Sequence, residues 1–121
     1  MTQVPEQAID RVANYFQVLA EPTRLRILNL LREQEYNVGE LADACGYTAA
    51  NMSRHLAVLM QQGFVIREGR GTSVYYQISD PTIYTLCDLV CDRISQQHIQ
   101  QAWPKALSTA KKKIALKRKI V

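Results

Sequence analysis

Three polar side chains within four residues, Asn51, Ser53 and Arg54, offer an amide, a hydroxyl and a guanidinium beside the small residues Ala49 and Ala50. Apolar residues recur around them at helical spacing as Met52, Leu56 and Leu59. With Met52 at the centre of the buried face and 100° per residue, Arg54 and Ala50 fall almost opposite and Asn51 and Ser53 lie on the flanks. A donor-rich arginine, an amide and a hydroxyl on one exposed face suit base edges and phosphates. The same pattern also fits an ordinary amphipathic helix whose polar face is simply hydrated. A second pair of chemically capable residues is Cys87 and Cys91, four apart in a helical stretch. Helical neighbours at that spacing hold Cβ atoms roughly 5–6 Å apart, beyond the roughly 3.5–4.5 Å of a disulfide. Two converging thiolates can instead chelate arsenite, cadmium or mercury, or carry persulfide chemistry. Plain packing is the competing account, since cysteine is among the most buried residue types.

The elements that position these groups follow from periodicity and punctuation. Residues 38–45 read as a short helix with Val38, Leu41, Ala42 and Cys45 on one side, then a turn at Gly46. Thr48 caps a second helix, and Gly63 stands where a helix-ending glycine belongs. Two helices joined by a tight glycine turn form a helix-turn-helix, whose second helix enters a DNA major groove. Upstream, Glu6–Leu19 forms an amphipathic helix with Ile9, Val12, Ala13, Phe16 and Leu19 in register. Thr23–Arg32 follows as a helix apolar on more than one face, and Glu33–Asn37 as a polar loop.

After Gly63 the period changes to alternation. Residues 64–68 and 73–78 are strand-like, joined by a four-residue loop, Gly69-Arg70-Gly71-Thr72. A hairpin directly behind a recognition helix is a wing, and Arg70 at its tip suits a phosphate or the minor groove. A hydrated hairpin with an incidental arginine is the alternative. Asp80 caps a last helix over residues 82–98, with Ile83, Leu86, Cys87, Val90 and Ile94 on one face, a natural dimer surface together with the first helix. Residues 99–121 form a basic tail, read as an amphipathic helix or a frayed arm.

Composition bounds these readings. The 121 residues suit one domain, and residues 1–98 hold the helices and wing. No apolar run is long enough to span a bilayer, and three cysteines, an odd number without a framework spacing, fit the reducing cytoplasm. Residues 1–92 carry seven arginines against eleven carboxylates, a balance of −4, whereas residues 93–121 carry eight basic residues and no acid. The overall charge of +4 therefore says nothing about the helix-turn-helix. The tail supports a competing class, an RNA- or membrane-surface-binding protein. A thiol enzyme is the weakest class, with no histidine placed to activate Cys87 or Cys91.

The ordered set of motifs resembles the ArsR/SmtB family of winged-helix bacterial repressors. The matching stretches are Leu19-Ala20-Glu21-Pro22-Thr23-Arg24-Leu25-Arg26-Ile27-Leu28, residues 41–46, Asn51-Met52-Ser53-Arg54-His55-Leu56 with Leu59, Gly63-Phe64-Val65, Gly69-Arg70, Val74-Tyr75-Tyr76 and Asp80-Pro81. The resemblance implies a mainly α fold with a β-hairpin wing, a homodimer paired through its first and last helices, and no enzyme. It implies a transcriptional repressor that a small inducer removes from operator DNA. Carried over by position, Thr48, Ala49, Asn51, Ser53 and Arg54 correspond to base and phosphate contacts, and Arg70 to the wing tip. Ala49 and Ala50 replace a Gln-Ser pair often found in the family, so base reading rests on Asn51, Ser53 and Arg54. His55 falls at a frequent family histidine, with a packing role expected. The family's Cys-x-Cys metal box is missing from Val38-Gly39-Glu40-Leu41. Of its zinc site on the last helix only Asp80 is kept, with Thr82, Arg93 and Gln96 at the other positions. Cys87 and Cys91 remain the candidate sensors, with a soft metal or metalloid or a reactive sulfur species as the inducer in prospect.

Overall fold

Two glycines in the left-handed conformation set the frame of the central helix pair, Gly46 at φ +71° and Gly63 at φ +86°. In the computed structural model, which describes residues 2–97, they end helices α3 (Val38–Cys45) and α4 (Ala49–Gln61). Each is closed by the paired hydrogen bonds of a left-handed terminus: Tyr47 N–H to Ala42 O at 2.9 Å after α3, and Phe64 N–H to Leu59 O at 2.9 Å after α4. Thr48 begins α4 by accepting the Asn51 N–H at 3.1 Å. α3 starts with a reciprocal box, in which Asn37 accepts from Glu40 N–H at 2.8 Å and Glu40 accepts from Asn37 N–H at 3.0 Å.

Before this pair come α1 (Glu6–Leu19) and α2 (Pro22–Leu31). After it come strands β2 (Val65–Arg70) and β3 (Ser73–Ile78), then α5 (Thr82–Gln97). The chain divides into two compact units, Met1–Pro81 and Thr82–Val121. In the first, Ile27, Leu28 and Leu31 of α2, Leu41 and Ala42 of α3, and Met52, Leu56 and Leu59 of α4 form the core. Phe64, Val65 and Tyr76 extend it to the sheet. α2 is thus central, although its Leu25 points outward.

Three boundaries differ from the sequence expectation. Within the expected polar loop 33–37, Tyr36–Asn37 form a short strand, β1, paired antiparallel with β3 in a sheet of order β1-β3-β2. Two residues are too few to display an alternation. The wing loop has two residues rather than four, because Gly69 pairs with Val74 and Arg70 with Ser73. Only Gly71, at φ +63°, needs glycine's freedom in this turn. In α1 the apolar residues split. Val18 and Leu19 are buried and Tyr15 packs on Phe64 at 4.7 Å between ring centroids, while Ile9, Val12 and Phe16 stay exposed. Asn14 donates to Gln62 at 3.1 Å, an exposed link from α1 to the end of α4.

In the second unit, Ile83 and Tyr84 are buried, Leu86, Cys87 and Ile94 are half-buried, and Leu89 and Val90 are exposed. The expected last residue of this helix, His98, and the tail 99–121 lie outside the described residues. No helix among the described residues is long and apolar enough to cross a membrane.

Leu56 is fully buried, so Leu56→Ala is expected to lower the unfolding free energy by about 2–5 kcal/mol. Urea titration at fixed protomer concentration measures this. A loss below about 1 kcal/mol would mean that the apolar face of α4 is not closely packed.

Candidate nucleic-acid interface

The exposed side of α4 is built by what its other side must bury. With Met52, Leu56 and Leu59 inside, Ala49, Ala50, Ser53 and Arg54 face outward and Asn51 is half-buried at the edge. The Arg54 guanidinium donates from Nη2 to Oδ1 of Asn51, one turn earlier on the helix. The Asn51 backbone is held by Thr48. Thr48, Asn51 and Arg54 therefore form one connected group at the helix start. Ser53 and Ala49 share the exposed surface.

A polar clamp ties the other end of this helix pair to α1 and α2. Glu21 begins α2, accepting the Arg24 N–H at 2.9 Å. The Arg24 side chain donates to the Val18 carbonyl at 2.6 Å and lies 3.5 Å from Nδ1 of His55. His55 stands 3.8 Å from the Glu21 carboxylate and stacks on Tyr47 with ring centroids 6.3 Å apart. The buried Thr23 hydroxyl donates to the Tyr47 hydroxyl at 2.8 Å. Burial pushes the Glu21 carboxyl up. The Arg24 backbone N–H and the His55 charge outweigh this and hold it below the usual carboxylate range. The clamp joins the end of α1, the start of α2, the α3–α4 turn and the middle of α4. It fixes the angle at which α4 is presented.

On the wing, Arg70 lies in strand β2 rather than in the loop. Its guanidinium makes a two-pronged ion pair with Glu35, bonds Glu68 at 3.1 Å and sits 5.0 Å from the centre of the Tyr75 ring. The two carboxylates push its pKa up further, so it stays charged. A phosphate contact at Arg70 has to compete with Glu35 and Glu68 for the guanidinium. Arg67, on the opposite face of the hairpin, is exposed.

Cys87 and Cys91 are both reduced and half-buried on α5. Burial pushes the Cys45 thiol up, which disfavours the thiolate a metal needs, although the Arg26 charge acts the other way. Among the described residues no group of three or more His, Cys, Asp or Glu side chains is placed to hold a metal ion.

Sequence reasoning named the α4 residues but missed three supporting features. The Asn37–Glu40 box was readable as an Asn with Glu three residues later. The contacts of His55 with Glu21, Arg24 and Tyr47 and the Glu35–Arg70 pair join residues 8 to 35 positions apart, which no local pattern announces.

A family model described as bacterial regulatory protein, arsR family, matches residues 21–67. The HTH-type transcriptional regulator NmtR of Mycobacterium tuberculosis is 38% identical over 82 residues, which cover 68% of each chain. Rv0081 of the same organism, an HTH-type transcriptional regulator, is 40% identical over 75 residues, 61% of this chain and 66% of its own length, just under two thirds. The crystal structure of Rv0081 superposes with a TM-score of 0.74 at 32% identity, covering 80% of this chain and 98% of that one. The solution structure of the homodimeric winged helix-turn-helix DNA-binding domain of Mb0332 from Mycobacterium bovis gives a TM-score of 0.68 at 29% identity, covering 86% and 98%. With its fold, helix pair and wing matched along most of the described length, this chain belongs to the ArsR family of bacterial regulatory proteins, DNA-binding transcription regulators of winged helix-turn-helix fold.

Proposed function

We propose that this chain is a homodimeric repressor, acting in the cytoplasm, that binds double-stranded operator DNA through α4 and the wing. The observation that carries the reading is the outward group Asn51, Ser53 and Arg54 on a helix whose other face is fully buried. Such a helix is held firmly enough to read a groove. Dimerisation is supported by the exposed Ile9, Val12 and Phe16 on α1 and by Leu89 and Val90 on α5. A single chain gains nothing by leaving such apolar side chains in water, and a two-fold pair buries them. The homodimeric relative from Mycobacterium bovis supports the same assembly.

Release from DNA is assigned to Cys87 and Cys91. Their i,i+4 placement lets both sulfurs turn toward one soft metal ion or metalloid, or toward reactive sulfur. The family's zinc arrangement does not fit this chain, because Thr82, Arg93 and Gln96 supply neither imidazole nor carboxylate beside Asp80.

Removing residues 99–121 tests the DNA reading. Sequence-specific duplex binding is expected to persist with a shallower dependence on salt, since the eight basic residues of 93–121 are reduced to Arg93. Loss of all duplex binding would assign the activity to the tail and end the helix-turn-helix reading. Replacing both Cys87 and Cys91 by Ser is expected to keep DNA binding and abolish release by arsenite, cadmium or polysulfide. Release that survives the double change would make the thiols structural. Glu35→Gln unties one partner of Arg70, so duplex affinity is expected to rise by up to about fivefold, as an exposed pair is worth at most about 1 kcal/mol. An unchanged affinity would take Arg70 out of the interface.

A further inference from the structure

We propose that Asn51 and Arg54 work as a single reading unit, in which Asn51 positions the Arg54 guanidinium for a guanine in the major groove. This rests on the operator-binding reading above and names what α4 reads.

An asparagine that reads adenine must offer its Oδ1 to the adenine amino group while its Nδ2 donates to N7. In this chain Oδ1 of Asn51 already accepts from Nη2 of Arg54. That bond takes one of the two lone pairs of Oδ1 and turns the amide oxygen toward Arg54. It also uses one of the two Nη2 hydrogens of Arg54, so Nη1, Nε and the second Nη2 hydrogen remain for a ligand. Paired acceptors on one edge in the major groove are the N7 and O6 of guanine.

The anchor is itself fixed. Asn51 is half-buried, and its backbone N–H is held by the Thr48 hydroxyl at 3.1 Å. Arg54 is exposed, so without that anchor its long side chain would sample many rotamers. A phosphate also takes a guanidinium fork, but it carries no base identity. A base edge has one plane and one spacing, and a held fork discriminates there. Ala49 and Ala50 sit beside the pair with exposed methyls and no donors of their own. They allow close approach of the helix and leave the directional contacts to Arg54. Asn51 is thus a positioning residue and Arg54 the reading one.

Selection from a random-sequence duplex library with the full-length protein supplies the probe. Affinities are then measured for the selected duplex, for each base change and for 7-deazaguanine, which lacks the N7 acceptor. The wild-type protein is expected to select a guanine at one position in each half-site and to lose on the order of tenfold in affinity with 7-deazaguanine there. Arg54→Ala should bind guanine and 7-deazaguanine equally at that position. Asn51→Ala should retain the preference at a severalfold smaller ratio, and Asn51→Asp should keep the full ratio, because a carboxylate accepts the same hydrogen bond. Both changed positions lie at the surface, and unaltered thermal unfolding and dimer mass confirm that each variant is folded. If Arg54→Ala weakens all sequences alike, Arg54 is a phosphate contact and the proposal is overturned. If Asn51→Ala leaves the ratio unchanged, the positioning role is overturned. If the wild-type protein enriches no sequence, the operator-binding reading fails along with it.

Discussion

The burial of Met52, Leu56 and Leu59 against α2 and α3 is the constraint on which the remainder of this structure depends. One apolar stripe, spaced 52, 56 and 59, fixes the rotation of α4 about its axis and therefore which side chains reach outward. A rotation by a single residue, about 100°, would turn Asn51 or Ser53 toward the core, where unpaired polar groups are costly. The glycines at 46 and 63 and the Thr48 cap set where α4 begins and ends. The clamp of Glu21, Arg24, His55, Tyr47 and Thr23 sets its angle to α1 and α2. Specific recognition needs both, because a base edge offers contacts only within a few tenths of an ångström.

Charge is distributed in an unusual way for a DNA reader. The first 92 residues carry a balance of −4, and Arg70 on the wing is held by two carboxylates. The excess of carboxylates in those residues opposes nonspecific attraction to phosphates there. The wing ion pair adds a local competition, since Glu35 and Glu68 would vie with a phosphate for the Arg70 guanidinium.

The helix-turn-helix was legible because its information is local. Period, cap and glycine all lie within the 26 residues from Val38 to Gly63. The features that escaped are set by partners distant in sequence. The α1 periodicity shows an apolar stripe through Ile9, Val12, Phe16 and Leu19, yet of these only Leu19 is buried, with Val18 and the half-buried Tyr15 beside it. The exposed part of the stripe fits a role in assembly, which periodicity alone does not separate from a role in the core. Gly69 looked like a loop residue, but it sits in regular strand geometry and the turn needs only Gly71. By type and position Arg70 is a wing-tip cation, and nothing in its residue type signals that Glu35, 35 positions earlier, holds it. Asn51 and Arg54 were both named as readers. Their mutual hydrogen bond, which makes one the support of the other, needed side-chain positions.

The central claim is that α4, with the wing, is the surface that meets DNA. Amide chemical-shift changes of the full-length protein on addition of a duplex it has selected test this residue by residue. The account predicts the largest changes at 48–54, with a second set in the wing at 66–73 and small changes elsewhere in the first unit. Changes confined to residues 99–121, with 48–54 unmoved, would contradict it.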